Sequence, residues 1–395
     1  MLRPKPRRPC RARPSRSAPA AHCVLRTCVP YWPGPVRSHV REEPGVRWDH
    51  LRLDGGAAPG APADAPLIER RAVARTIAAP EFRGMTFYEI RAKTVVNRVP
   101  EASRLPFRWT INPYRGCSHA CSYCFARKSH EYLDLDSGAD FDSRIVVKVN
   151  AAERVRAELA APRWRGEHIA MGTNVDCYQR AEGRYRLMPG ILAALRDAAN
   201  PFSILTKGTL ILRDLPLLQE AAGRTRVSAA VSVGSVDRDL ARLVEPGTPP
   251  PRARLEAVAA LNEGGIGCGV LMGPVLPYLS DSPAQLDAAV REIAAAGATS
   301  VSAITLHLRP GAREWFLAWL REHHPGLVAP YARLYRGGAY APAEYQDRIS
   351  RRVRELAARY GIGGRGGHRP AAPPSPAPPP AAAAQAAAPQ QLSLL

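Results

Sequence analysis

The chain has 395 residues and carries 55 lysines and arginines against 35 aspartates and glutamates, a net charge of +20 at pH 7. That length buries a large core, as one large α/β domain or two smaller ones. No apolar run reaches the length of a membrane span, and eight cysteines without a secretory signal argue against a disulfide scaffold and for a reducing, cytoplasmic setting.

The charge is unevenly placed. Residues 1–66 hold twelve basic and five acidic side chains, a surplus of seven, and Arg365 and Arg369 add two near the other end, so the middle keeps +11. A surplus of that size favours a polyanionic partner such as nucleic acid. Only five of the basic residues are lysine, and the chain is rich in Ala and Pro, so part of the charge reflects coding composition.

Residues 1–66, rich in Pro, Arg, Ala and Gly without periodicity, read as a disordered basic segment. Cys10, Cys23 and Cys28 fall in it with no cluster spacing. The first twenty residues, with seven basic and no acidic side chains, match a transit peptide in composition but lack its amphipathic face. Ordered sequence is expected from Leu67, with residues 81–100 as an extension packed on the core.

In RGCSHACSYCFAR, residues 115–127, Cys117, Cys121 and Cys124 are separated by three and two residues. Thiolates are the usual ligands of iron–sulfur clusters, and a cubane held by only three leaves one iron open to another ligand. A structural zinc site with His119 or His130 as fourth ligand is the alternative, and would make the chain a non-catalytic nucleic-acid-binding module.

Beyond this loop, short apolar runs alternate with amphipathic stretches. The runs at 109–112, 168–172, 202–206, 227–233, 268–272 and 300–306 predict strands, and 187–199, 255–263 and 283–296 predict helices. Residues 145–149 (IVVKV) predict a further strand in an insertion. Strands alternating with helices imply a parallel sheet, and the right-handed crossover rule curls six such units into a partial (βα)6 TIM-like barrel with disordered N- and C-terminal tails. Reacting groups in such barrels follow the C-terminal strand ends. The cysteine loop does so, as do Gly172, Thr173 and Asp176 after the second strand, Lys207 after the third, Ser232 in the fourth, and Gly273 with Pro274 after the fifth.

Residues 306–327 predict an amphipathic helix and 331–360 a helical cap, with His307 and Arg309 after the last strand. One ordered domain, with its extension and helical cap, is thus expected over 67–365, followed by a Pro/Ala-rich linker at 366–389. The last residues, 390–395, end in QLSLL, a short apolar peptide on a tether suited to a partner groove. QLSLL resembles the peptide that binds the bacterial sliding clamp, with Gln391 in one subsite and Leu392, Leu394 and Leu395 in apolar ones.

The cysteine spacing, with Tyr123 before the last cysteine, resembles the signature of the radical S-adenosylmethionine (SAM) enzymes. Together with GTNVDCYQRAEGRY, SILTKGTLILRDL, EPGTPPPRARL and LMGPVLPYLSD, it resembles a bacterial subgroup of the spore photoproduct lyase-related branch over residues 67–360. The resemblance implies a 4Fe-4S cluster on Cys117, Cys121 and Cys124, S-adenosyl-L-methionine on the open iron, and an external reductant such as flavodoxin or ferredoxin. It implies radical hydrogen abstraction from a nucleic-acid base in DNA repair, or otherwise from RNA or a peptide. Tyr123 would contact adenine, and Lys207 and Ser232 the methionine carboxylate or ribose, with Glu245 and Arg254 as looser candidates whose alternative is a surface ion pair. The hydrogen-donating cysteine of photoproduct lyases is missing, since Gly172 stands nearest its place; Cys177, with Tyr178 as relay, is the candidate substitute.

Overall fold

The computed structural model describes residues 73–76, 80–101, 103 and 105–363. The basic N-terminal segment, the Pro/Ala-rich linker and the Gln391-to-Leu395 peptide lie outside the described residues. The strands, in chain order, are β1 (Val73–Thr76), β2 (Thr86–Ile90), β3 (Val96–Arg98), β4 (Trp109–Ile111), β5 (Tyr114–Arg115), β6 (Arg144–Lys148), β7 (Ile169–Met171), β8 (Phe202–Thr206), β9 (Val227–Ser232), β10 (Cys268–Val275) and β11 (Val301–Thr305).

Seven of them form one sheet in the order β11-β10-β9-β8-β7-β4-β3. The six from β4 to β11 in this sheet run parallel, and β3 adds an antiparallel edge to β4. This is the expected partial (βα)6 barrel. Ile169, Met171, Phe202, Ile204, Val231 and Val270 share one face of the sheet and are buried in the main core, while Ser203, Leu205 and Ala230 on the opposite face are partly exposed. The edge strand β11 is covered by the helix Ala343–Arg359, which buries Ile349, Val353 and Leu356 along one face.

A second sheet, ordered β1-β2-β6-β5, joins the extension to the insertion. Strand β2 runs parallel to β6, with Phe87 opposite Ile145 and Glu89 opposite Val147. Tyr88, Ile90 and Val146 form a small core with Leu133 and Leu135 from the end of the cysteine loop, so this sheet buttresses that loop from outside the barrel.

Two predicted elements differ in their bounds: the cap expected over 331–360 is two helices, Val328–Leu334 and Ala343–Arg359. The helix expected over 306–327 covers only Ala312–His323, followed by a short 3-10 turn at Pro325–Leu327. Pro310 and Gly311 delay its start, and Pro325 cannot continue it because the ring removes an N–H donor and clashes with the preceding turn.

Candidate functional site

Parallel strands put the ends of β4, β7, β8, β9 and β10 at one rim, and the cysteine loop closes over that rim. Gly116, at φ +74°, starts the loop where a Cβ would sit 2.9 Å from the Phe141 carbonyl. The loop is then pinned on several sides. Cys117 N donates to Phe141 O at 2.9 Å, Gln179 bridges Gly116 O and Ser118 N, Ser122 N donates to Val244 O, and Gly247 N donates to His119 O. Arg127 is fully buried, and its guanidinium donates to Cys121 O and Gly138 O and forks onto both oxygens of Asp142 at 2.9 Å.

The three thiols are reduced and unpaired, with Cys117 and Cys121 buried and Cys124 half-buried. Burial pushes all three up, with the Asp176 charge adding to it at Cys117 and the Glu245 charge at Cys121, so the site favours neutral thiols until a bound cation draws them to thiolates. Among the described residues no three His, Cys, Asp or Glu side chains close on one point as a single metal ion requires. A four-iron cluster takes each thiolate on a different iron and needs no such convergence. Both histidines proposed for zinc are turned elsewhere: His119 Nδ1 lies 3.4 Å from Asp176 and His130 Nε2 lies 2.9 Å from Arg144 O. Three free thiols on one loop are a donor set that fits a cluster.

Beside the thiols is one buried polar corner. Tyr123 Oη donates to Glu245, whose carboxylate lies 2.5 Å from Arg254 and 3.5 Å from Lys207. Burial alone would raise Glu245, but the Arg254 and Lys207 cations outweigh it and hold the acid at about 2. Lys207 Nζ donates to Ser232 Oγ at 2.6 Å and to Gly273 O at 3.2 Å, and stands 5.9 Å from the centre of the Tyr123 ring. Arg254 also donates to Ser232 O, Pro249 O and Thr248 Oγ1. Tyr123, Lys207, Ser232, Glu245 and Arg254 thus meet, and Glu245 with Arg254 is a buried pair rather than a surface one. Tyr123 and Glu245 also line a small cleft with Gly234, Pro274, Leu276 and Ser280.

Asp176 organises the turn carrying Lys207. It accepts from Thr206 Oγ1 and Lys207 N at 2.6 Å and from Tyr178 N at 2.9 Å, and these partners with His119 overcome the burial penalty to hold it at about 2. Gly172 serves the backbone: at φ +74°, a Cβ there would fall 1.8 Å from Leu205 O. Thr173 follows it, half-buried, in the same turn.

Cys177 and Tyr178 sit elsewhere. Cys177 is fully buried in the main core, and Tyr178 Oη donates to Asp214 at 3.1 Å. Asp214 belongs to a network in which Arg213 pairs with it and with Glu182, and Tyr114 Oη donates to Glu182 at 2.5 Å. Glu182, Arg213 and Gln179 were not anticipated; Arg213 is marked by its place in the apolar run TLILRDLPLL, whereas Glu182 and Gln179 lie in the polar run QRAEGRYR, where nothing singles them out. Nothing in the sequence separates the buried Arg127 from the exposed Lys128 next to it.

The sequence model of the Radical SAM superfamily matches residues 111–292. An uncharacterised protein of Mycobacterium tuberculosis is 51% identical over 323 residues, covering 82% of this chain and 92% of its own length. An uncharacterised protein of Methanocaldococcus jannaschii is 29% identical over 195 residues, covering 49% of this chain and 69% of its own. The solved structure of spore photoproduct lyase complexed with dinucleoside spore photoproduct superposes with a TM-score of 0.53 at 14% identity, covering 80% of this chain and 87% of the lyase. At that identity the likeness is one of fold.

Proposed function

As the chain belongs to the radical SAM superfamily, we propose that it is a radical SAM enzyme that abstracts hydrogen from a nucleic-acid base, in the service of DNA repair. One-electron cleavage of S-adenosylmethionine to a 5′-deoxyadenosyl radical is the chemistry that a 4Fe-4S cluster on Cys117, Cys121 and Cys124 supplies when bound. The chain's part is to position and to exclude water. Lys207 offers a cation and Ser232 a hydroxyl at the rim, held by the Asp176 turn and by Glu245. Tyr123 offers a ring face whose hydroxyl is anchored on Glu245. The observation that carries this reading is the convergence of these side chains, from the cysteine loop and three later segments, on one buried corner.

Two further facts support the nucleic-acid base. The middle of the chain keeps a surplus of +11, and a fold-sharing lyase is described in complex with a dinucleoside lesion. The test is an anaerobic assay of the reduced, reconstituted protein with irradiated DNA, undamaged DNA and tRNA, followed by nucleoside mass spectrometry. A changed nucleoside in either DNA arm supports the reading, and a change confined to tRNA moves the substrate to RNA. No change in any arm contradicts it.

A further inference from the structure

We infer that Phe125, Arg309 and Tyr340 form a shelf at the rim on which an unpaired base of a nucleic-acid strand stacks, an inference that rests on the nucleic-acid reading above. Phe125 directly follows the third cysteine of the cluster loop and is 45% exposed, and Tyr340 is 47% exposed. One residue gathers them: the Arg309 guanidinium lies 5.8 Å from the Phe125 ring centre and 5.9 Å from that of Tyr340. Three separate segments therefore converge, the cysteine loop, the turn after β11 and the approach to the last helix.

The shelf is built rather than incidental. Tyr340 is held from below by the His307 ring, with centroids 4.6 Å apart, and the two backbones pair in an isolated bridge. Burial and the Arg309 charge lower His307, favouring the neutral ring. Arg309 is exposed and spends one Nη2 donor on Tyr340 Oη at 2.8 Å. Its other N–H groups have no protein partner among the described residues. The exposed Lys128 lies one turn past Phe125, beside Gly311.

Two exposed rings that share one cation, with a second cation nearby, fit a ligand having both a flat ring and negative charge. A nucleobase on its phosphate backbone has both, and base–aromatic stacking is indifferent to which base it is. An acidic peptide would satisfy the cations and leave the rings in water. Because Phe125 adjoins Cys124, a base on the shelf leaves its neighbour in the strand facing the rim and the corner below it.

The test is fluorescence anisotropy of a labelled single-stranded oligonucleotide with the anaerobically reconstituted full chain, comparing wild type with Phe125→Ala, Phe125→Tyr, Tyr340→Ala and Arg309→Gln. Iron content and S-adenosylmethionine affinity verify that each variant is folded and loaded. The expected result is about tenfold weaker binding for either aromatic→Ala variant, recovery in Phe125→Tyr, and a smaller dependence on salt for Arg309→Gln. Wild-type binding in all the variants would overturn the shelf and leave the nucleic-acid reading standing. Displacement by polyglutamate at matched charge as effective as by unlabelled oligonucleotide would also overturn it, as charge alone. Absence of binding by the wild type would remove the nucleic-acid reading itself and the shelf with it.

Discussion

The Tyr123 hydroxyl donates to the Glu245 carboxylate, tying the cysteine motif to a residue 122 positions further along the chain. Between them the chain completes three more strands of the barrel, so the corner exists only in the closed fold. Each of its members is answered by another, and removing one has calculable consequences.

Arg254→Ala leaves the Glu245 charge buried with Lys207 as its remaining cation beside the Tyr123 hydroxyl. Breaking a buried ion pair costs about 3–5 kcal/mol, and Lys207 keeps this case at the low end. Urea unfolding of the reconstituted protein should show a loss of about 3 kcal/mol. Arg254→Lys should not restore it, since an ammonium cannot replace the fork onto Ser232 O, Pro249 O and Thr248 Oγ1.

Lys207→Ala removes a cation that spends its hydrogen bonds on Ser232 and Gly273. If that charge meets the methionine carboxylate, calorimetry should show S-adenosylmethionine affinity reduced by about 1.5–3 kcal/mol, roughly 10- to 150-fold, with iron content unchanged. Unaltered affinity would make Lys207 a brace for Glu245 and nothing more.

The barrel was legible because its parallel strands are short, mostly apolar runs separated by amphipathic stretches. Residues 202–206, predicted as a strand, form β8 to the residue. The pairing of β2 with β6 was not legible, because the sequence shows two short apolar stretches far apart and nothing that specifies their register. Lys207 and Ser232 stood out by falling at strand ends. Gln179 and Arg127 did not, because their role lies in binding main-chain groups of the cysteine loop, which no side-chain pattern records.

Gly172→Ala should be poorly tolerated. The new methyl would meet Leu205 O at 1.8 Å in a left-handed backbone, so β7 must part from β8. A stability loss of at least about 2 kcal/mol is expected, well above the usual cost of a surface substitution. Thermal unfolding measured beside Gly166→Ala provides the control, since a Cβ at Gly166 has nothing within 4 Å and shares the positive φ.

Lys148 is buried, and burial together with the Arg115 charge lowers it to about 7 against a weaker pull from Glu158. The folded state then prefers the neutral amine, while the unfolded chain stays protonated up to the ordinary lysine value. Protons are bound more by the unfolded chain in that window, so this group destabilises fully below about pH 7 and its penalty shrinks as pH rises toward about 10. Lys148→Met should raise stability at neutral pH and flatten that rise. Urea midpoints measured across the window check both effects.

The account depends most directly on the three thiols acting as one cluster site. Wild type and single Ala variants of Cys117, Cys121 and Cys124, reconstituted anaerobically with iron and sulfide, should be reduced with dithionite in the presence of S-adenosylmethionine and 5′-deoxyadenosine quantified by chromatography. Wild type should show a brown charge-transfer absorption and form 5′-deoxyadenosine, and each variant should lose both. A wild-type protein that retains zinc and no iron, or a triple Ala variant that still forms 5′-deoxyadenosine, would contradict it.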